Sequence, residues 1–222
     1  MSTSEVLEQG SLFGLAEPTT APAEQLAEVA RAARDCRACP LWEIGTQTVF
    51  GSGPANARLM FIGEAPGQHE DKQGIPFVGP AGQLFDQALK QARLERAEVY
   101  VTNIVKHRPW LEQNGRKKNR PPKQSEINAC RPWLQEQLRI ISPKMIVCVG
   151  AQAAKEILGK TFKLTQQRGQ WFEGPGSAAV LATIHPAYVL IQPEESFERL
   201  RETLFADFRT AAERYRALEA GG

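Results

Sequence analysis

"RLMFIG", residues 58–63, is the stretch that decides the fold class of this 222-residue chain. It is a short apolar run closed by glycine, which indicates a buried β-strand. An amphipathic helical pattern follows it at residues 79–94. Because strands and helices keep alternating to the end of the chain, we expect an α/β fold, with a mainly parallel sheet covered by helices on both faces. The further strand patterns lie at residues 98–105, 144–150 and 178–185, and the further helical patterns lie at residues 23–35, 123–141, 151–159 and 195–220.

The composition argues against a membrane or secreted protein. No apolar run approaches the roughly 18 residues that a membrane helix needs. The first ten residues, "MSTSEVLEQG", have neither the basic start nor the apolar core of a secretory signal. We therefore expect a soluble cytoplasmic protein.

The charge is unevenly distributed along the chain. Residues 1–30 contain five Glu and no Lys or Arg, which leaves 27 basic against 20 acidic residues in the remainder. Between Lys106 and Lys123 there are seven Lys or Arg and only Glu112 to oppose them. A solvated loop would explain this run, but Trp110 and several prolines interleave with the charge. That mixture favours a surface that follows nucleic-acid phosphates.

The cysteine pattern predicts a metal or cluster site. "CRACP" contains the C-x2-C pair Cys36 and Cys39, whose spacing allows two thiolates to hold one metal or cluster corner. A redox pair would be expected beside a strand of a βαβ unit, whereas this pair follows a helical pattern. Ligation is therefore favoured, and two further ligands must come from elsewhere in the chain.

Residues 1–22 have the composition of a flexible tail, rich in Ala, Pro, Thr and Gly. Within it, "QGSLFGL" resembles the short peptide by which bacterial repair and replication proteins bind the sliding clamp, with Gln9, Leu12 and Phe13 as anchors. The alternative is a Leu-Phe pair that folds back onto the domain.

Polar side chains gather where the predicted strands end, which is where parallel sheets bind ligands. The Gly-rich segment after residue 63 lacks the endings of a P-loop and the spacing of a dinucleotide fingerprint, but its carboxylates can hold a water or stabilise a developing cation. Phe77 is either a core residue or a stacking surface for a base. Asn103 either reads a base edge or closes a turn. His185 is either a buried structural residue or a site residue, and its place at a strand end favours the site.

Five ordered motifs now carry a family resemblance. "GEAPGQHEDKQGIPFVGPAGQLFD", "VYVTNIVKHRPW", the C-x2-C pair, "ACRPWL" and "IHPAYVL" together resemble the iron–sulfur uracil-DNA glycosylases of family 4. The resemblance implies a three-layer α/β/α sandwich formed by one domain, residues 23–220, and hydrolysis of the N-glycosidic bond of deoxyuridine in DNA. It also implies site roles: base binding by Ala65, Phe77, Asn103 and His185, stabilisation of the departing base by His185, and water placement or sugar stabilisation by Glu64, Glu70 and Asp71.

The chain departs from the family at the fourth cluster ligand. His107 stands where the family usually has cysteine, so the implied [4Fe-4S] ligands are Cys36, Cys39, His107 and Cys130. Imidazole can replace thiolate on cluster iron, as it does in Rieske centres. Cys148 lies inside the apolar strand pattern "KMIVCVG" and is expected to be a core residue.

A second departure concerns a sister group that becomes covalently trapped on uracil DNA through a loop histidine. The segment 115–122, "GRKKNRPP", resembles that loop but contains no histidine, so we expect ordinary turnover by a monomer that binds DNA. The residues expected to contact DNA are Arg116, Lys117, Lys118 and Arg120, with Val189 and Leu190 as the apolar wedge that fills the vacated base stack.

Two other functions remain open from the sequence. The chain could be a non-catalytic or slow uracil-DNA sensor that recruits the sliding clamp, which the basic loop and "QGSLF" motivate. It could also be an α/β nucleotide-binding module whose cluster senses redox state. Release of an abasic product separates the first from a glycosylase, and failure to bind DNA would point to the second.

Overall fold

The computed structural model of the chain describes residues 21–220. The candidate clamp anchors Gln9, Leu12 and Phe13 lie outside the described residues, as does nearly all of the predicted tail 1–22. In the part that is described, no helix is long and apolar enough to cross a membrane.

Helices and strands alternate over the described residues, as the sequence pattern predicts. The strands are β1 (Leu59–Gly63), β2 (Tyr100–Asn103), β3 (Trp110–Gln113), β4 (Arg116–Asn119), β5 (Met145–Val149), β6 (Trp171–Glu173) and β7 (Ala179–Thr183). The α-helices are α1 (Pro22–Arg34), α2 (Leu41–Ile44), α3 (Gln68–Gln73), α4 (Pro80–Gln91), α5 (Gln124–Ile141), α6 (Ala151–Leu158), α7 (Leu164–Gln167), α8 (Pro186–Leu190) and α9 (Glu194–Ala220).

Five of the strands form one central sheet in the order β2-β1-β5-β7-β6. The first four are parallel, and β6 adds an antiparallel edge paired with β7. The parallel strands are apolar because helices cover both faces of the sheet, as is usual for parallel sheets. The predicted α/β class with a mainly parallel sheet is confirmed.

Alternate residues of each strand enter two separate cores. Met60 and Ile62 of β1 pack on one side with α1, α5 and α6, while Leu59 and Phe61 pack on the other side with α4 and α9. This period of two on a strand buried on both faces produces the three-layer α/β/α sandwich. Cys148 of β5 is fully buried in the first core, as predicted for a core residue.

The basic segment after β2 forms a β-hairpin rather than a loop. Strands β3 and β4 pair antiparallel, and the two residues between them, Asn114 and Gly115, both have positive φ. Asn-Gly is the favoured pair for such a two-residue turn, because both positions need left-handed backbone. The hairpin forms a separate two-stranded sheet, and its positive charge lies on the exposed strand β4.

Candidate active site and metal centre

A cleft of about 350 Å³ opens where the parallel strands end. It collects side chains from the loop after β1, the end of β2, the hairpin and the segment after β7. All four residues predicted to bind the base line it together, although they are spread over 120 positions of the chain: Ala65, Phe77, Asn103 and His185. Its other lining residues are Gly67, Gln68, His69, Glu70, Gly79, Pro80, Ala81, Asn119, Ala187, Leu190 and Ile191.

Phe77 forms one wall of the cleft in a constrained backbone conformation. Its φ is +54°, in the left-handed region that costs a non-glycine residue about 1–3 kcal/mol. Gly82 allows this conformation, since a Cβ there would lie 2.1 Å from the carbonyl carbon and oxygen of Phe77. The ring packs on Phe85, with centroids 4.8 Å apart, and lies nearly parallel to the His185 ring at 5.8 Å. Phe77 is therefore both a core residue and a flat surface of the cleft.

Asn103, the last residue of β2, has a buried polar atom with no partner. The residue is 1% exposed, and its Oδ1 accepts no hydrogen bond from the described residues. A Cβ placed on Gly63 would lie 2.4 Å from this Oδ1 and 2.6 Å from the Phe77 ring, so glycine is required for the close approach. A buried acceptor without a donor costs about 1–3 kcal/mol. A donor on a bound ligand would remove that cost.

His185 offers one nitrogen as a hydrogen-bond donor. It caps α8, because its Nδ1 accepts the Ala187 N–H at 3.1 Å. Since Nδ1 accepts a hydrogen bond, the hydrogen of a neutral ring must be on Nε2. Burial lowers the pKa of His185 to about 4, an effect that the Glu70 carboxylate only partly opposes. The ring is therefore neutral at pH 7, with Nε2–H free to donate.

The three predicted carboxylates have different surroundings. Glu70 lines the cleft, but both of its oxygens are occupied: Oε1 accepts the N–H groups of Val78 and Gly79, and Oε2 accepts that of Gly67. These bonds fix the two loop segments that border the cleft, and the placement of a water by Glu70 stays a prediction.

Asp71 and Glu64 lie away from the lining of the cleft. Both oxygens of Asp71 accept from Thr46, one from the backbone N–H and one from the hydroxyl. The placement of Asp71 among the sugar-facing carboxylates therefore needs correction, since its side chain holds Thr46 instead. Glu64 follows β1 and is half-buried, which raises its carboxyl pKa, and its backbone oxygen accepts the Val105 N–H.

The apolar rim of the cleft differs from the predicted wedge. Val189 is 0% exposed and belongs to the core beneath α8, so it cannot enter a base stack, and that prediction was wrong. Leu190 is 40% exposed and Ile191 is 77% exposed, and both line the cleft. Ile191, which was not among the predicted site residues, is the more exposed of the two.

The basic hairpin carries only part of the predicted DNA-contact set. Arg116, Lys117 and Lys118 are exposed on β4, and Lys117 lies over the Trp110 ring at 4.2 Å from its centroid. Arg120 is different, because both of its terminal nitrogens bind the Glu126 carboxylate at 2.6 and 2.8 Å. Its expected phosphate role needs correction, since the guanidinium is committed to that ion pair.

Asn119, the last residue of the hairpin, reaches the cleft. Its Oδ1 accepts from the Nε of the buried Arg108 at 2.7 Å, which leaves its amide nitrogen on the side of Gly67. Asn119 was not among the predicted site residues. The pairing with Arg108 joins residues 11 positions apart across the hairpin, so no local pattern shows it.

The four predicted cluster ligands line one small cavity, together with Ala33, Ala38, Lys106, Ala129 and Trp133. Cys36, Cys39 and Cys130 are free thiols. Two sulfurs have N–H donors at 3.2 Å: Cys36 from the Trp133 indole and Cys130 from the Lys106 backbone. Such donors stabilise cluster thiolates. Among the described residues, no group of three His, Cys, Asp or Glu is arranged to hold a single metal ion.

The hydrogen bonds of His107 determine which of its nitrogens can bind metal. Its Nε2 lies 3.0 Å from the Thr48 hydroxyl, and that hydroxyl donates its single proton to the Ala33 carbonyl, also at 3.0 Å. Thr48 must therefore accept from Nε2–H, which leaves Nδ1 unprotonated and available as a ligand. Burial lowers the pKa of His107, which favours this neutral form.

A second cleft, of about 440 Å³, lies at the opposite ends of the strands, between α5, α6 and the turn before β7. It is larger, but its lining contains no histidine or cysteine, and its Arg131 is paired with Glu156. Of these two clefts, the one at the carboxyl ends of the parallel strands is thus the one with groups capable of catalysis.

Comparison with known proteins agrees with this geometry. The family model of the uracil DNA glycosylase superfamily matches residues 50–209. The type-4 uracil-DNA glycosylase of Sulfurisphaera tokodaii is 42% identical over 181 residues, covering 75% of this chain and 79% of that protein. That of Thermotoga maritima is 38% identical, covering 80% and 90%, and that of Archaeoglobus fulgidus is 36% identical, covering 86% and 93%. The chain belongs to the uracil-DNA glycosylase superfamily and, within it, to the type-4 enzymes.

Proposed function

We propose that the protein hydrolyses the N-glycosidic bond of deoxyuridine in DNA, releasing uracil and leaving an abasic site. The observation that carries the proposal is the buried, unpaired Oδ1 of Asn103 in the cleft. Uracil supplies the missing donor at N3–H and presents acceptors on either side of it. The activity named for the type-4 relatives supports the same substrate.

The cleft is suited to a base that has been turned out of the helix. Phe77 provides a flat apolar face on which a pyrimidine can stack, and Asn103 can bind the pyrimidine edge through its amide. Leu190 and Ile191 at the rim can occupy the space that the base leaves in the stack. Extrusion costs least for a mismatched or single-stranded uracil.

His185 stabilises the departing base in this mechanism. As the bond from C1′ to N1 lengthens, negative charge grows on the uracil oxygens. The Nε2–H of a neutral, fixed His185 can donate to O2 as that charge develops. A preorganised donor of this kind contributes roughly 3–4 kcal/mol to transition-state stabilisation.

Glu70 faces the positive charge that develops on the sugar. Among the residues described as lining the cleft, it is the only one with a carboxyl side chain. Its three backbone donors hold it in place, so its role is electrostatic stabilisation of the oxocarbenium-like sugar rather than proton transfer. The nitrogen N1 leaves with the electron pair of the glycosidic bond, water then adds to C1′, and the proton that this water loses is balanced by the proton that the released uracil anion takes up.

The reaction ends without a covalent enzyme–DNA link. The hairpin presents Asn119 at the cleft, and an amide is too weak a nucleophile to attack C1′. Arg116, Lys117 and Lys118, on the same hairpin, are free to contact phosphates.

Cys36, Cys39, His107 and Cys130 are proposed to hold a [4Fe-4S] cluster. The donor set fits, since three cysteine sulfurs and one imidazole line the same cavity, and each iron of a cluster takes one such ligand. When bound, the cluster would supply a cross-link between the segment after α1, the segment after β2 and helix α5.

A strand-scission assay tests the proposal. A uracil-containing oligonucleotide is incubated with protein and then with alkali, and free uracil is measured in parallel. We expect alkali-labile sites and free uracil in equal amounts, and no slow-migrating adduct on a denaturing gel. A uracil-specific complex without an abasic product would instead indicate the sensor function.

A further inference from the structure

Lys106 is a buried side chain whose amino nitrogen lies within hydrogen-bonding distance of three acceptors. It is 1% exposed, and its Nζ donates to the Thr102 hydroxyl at 2.7 Å, the Asn103 carbonyl at 2.7 Å and the Gln137 side-chain oxygen at 2.6 Å. An ammonium group has three protons, so each has an acceptor. All three hydrogen-bonding positions of Nζ are thus occupied.

The acceptors of Lys106 are themselves fixed. Gln137 is fully buried, and its nitrogen donates to the Phe50 carbonyl at 2.8 Å and to the Tyr100 hydroxyl at 3.0 Å. The Thr102 hydroxyl also bonds to the Phe50 carbonyl, at 2.8 Å. A network with every member satisfied is rigid, because moving one group breaks the bonds of several.

Burying this ammonium is expensive, and no carboxylate compensates for it. Among the described residues, Lys106 forms no ion pair with Asp or Glu, and burial lowers its pKa to about 7, an effect that the Cys130 sulfur only partly opposes. Removing an ammonium from water costs several kcal/mol even after relaxation. An apolar side chain of similar length would avoid that cost, so stability alone does not explain a lysine here.

The bond to the Asn103 carbonyl gives the lysine a role at the cleft. Asn103 is the last residue of β2, which lies at the edge of the central sheet. Lys106 binds its carbonyl, while a Cβ on Gly63 would lie 2.4 Å from its Oδ1 and 2.6 Å from the Phe77 ring. With so little space, a small shift of the Asn103 backbone would move Oδ1 away from a bound base.

We propose that Lys106 is a positioning residue for base recognition, which fixes the end of β2 so that the Asn103 amide meets the uracil edge. This inference rests on the proposed glycosylase function. Lys106 does not touch the substrate; it acts through Asn103.

A double-mutant cycle tests the inference. Single-turnover excision rates at saturating protein are measured for the wild type, Lys106→Met, Asn103→Ala and the double variant. We expect Lys106→Met to slow excision by about tenfold or more, as small displacements of binding groups do. In the Asn103→Ala background, the same change should cost less than about twofold, because the group that Lys106 positions is gone. Affinity for an abasic oligonucleotide should be unchanged.

Two controls keep the outcomes distinct. Lys144→Met changes an exposed lysine at the opposite end of the sheet and should leave the rate unaltered. Lys106→Gln keeps an amide donor without the buried amino group, and it is used in the cycle if Lys106→Met does not fold. Its excision rate should lie between those of the wild type and Lys106→Met. Equal rate losses in both backgrounds, or none, would overturn the inference. An inactive wild type would instead contradict the proposed function.

Discussion

Replacement of His185 separates its two roles in the structure. The Nδ1 atom accepts the Ala187 N–H and caps α8, whereas the Nε2–H is left for the substrate. Alanine removes both functions. Asparagine keeps an acceptor suited to a helix N-terminus but is too short to carry the donor to the position of Nε2.

The expected magnitudes follow from these contacts. Loss of a preorganised donor to a developing anion costs about 3–4 kcal/mol, which corresponds to a fall in the excision rate of roughly 10²–10³. Loss of the cap costs about 1 kcal/mol of folding stability. We therefore expect both variants to excise uracil more slowly, and only His185→Ala to have a lower free energy of unfolding.

The assay is single-turnover excision from a uracil oligonucleotide at saturating protein, accompanied by urea unfolding and by the affinity for an abasic oligonucleotide. Affinity should stay close to that of the wild type in both variants, since the lost bond forms in the transition state. If His185→Asn excises uracil at the wild-type rate, or if His185→Ala is less than about threefold slower, the assignment of His185 as the donor is refuted.

Three further predictions concern the metal centre, the rim and the acid stability. His107→Cys should retain iron and His107→Ala should lose most of it, measured as iron per protein; unchanged iron in the alanine variant would exclude His107 as a ligand. Ile191→Ala should slow excision from duplex more than from single-stranded DNA, whereas Val189→Ala should cost about 2 kcal/mol of unfolding free energy with little change in that ratio. Because the folded pKa of His185 is about 4 and the unfolded value about 6.5, its stabilising effect is complete above pH 6.5 and is lost as pH falls towards 4. Urea unfolding at pH 7 and pH 4.5 should therefore show a larger drop for the wild type than for His185→Asn, by about 2–3 kcal/mol, and equal drops would contradict the neutral buried ring.

The placement of the cleft could be predicted from the sequence because parallel strands impose it. Once residues 58–63 and the segments after them alternate as strands and helices, the carboxyl ends of the strands must share one edge. Phe77 lies in the segment after β1, Asn103 ends β2 and His185 follows β7, and they therefore meet there. Because the strand patterns are apolar throughout, both faces of the sheet could also be predicted to be buried. This places Cys148 in the core.

The roles of the acidic residues could not be predicted, because they depend on contacts distant in the chain. Asp71 binds Thr46, 25 positions earlier, and Glu70 accepts N–H groups on both sides of a loop whose path depends on the left-handed Phe77. Carboxylates in a Gly-rich loop are equally typical of catalysis and of loop support. Only the hydrogen-bond partners distinguish the two.

Local packing decided the remaining differences. Helix α8 has a single turn, so sequence pattern does not show that Val189 faces the core and Ile191 faces out. Arg120 is one of seven basic residues in its segment, and its pairing with Glu126 follows from how the hairpin joins α5. Asn114–Gly115 is a strong signal for a two-residue hairpin turn, but the charged residues around it do not show the alternating pattern that predicts a strand.

Uracil release by the wild type and by Asn103→Ala is the most direct test of the central claim, which is that the unpaired Oδ1 of Asn103 recognises a base whose glycosidic bond is then hydrolysed in the cleft. Free uracil and alkali-labile sites are measured from the same oligonucleotide at saturating protein. The wild type should release one uracil per abasic site, and Asn103→Ala should release it at least about tenfold more slowly with DNA affinity retained. Release of no uracil by the wild type, or equal release by the two proteins, would contradict the account.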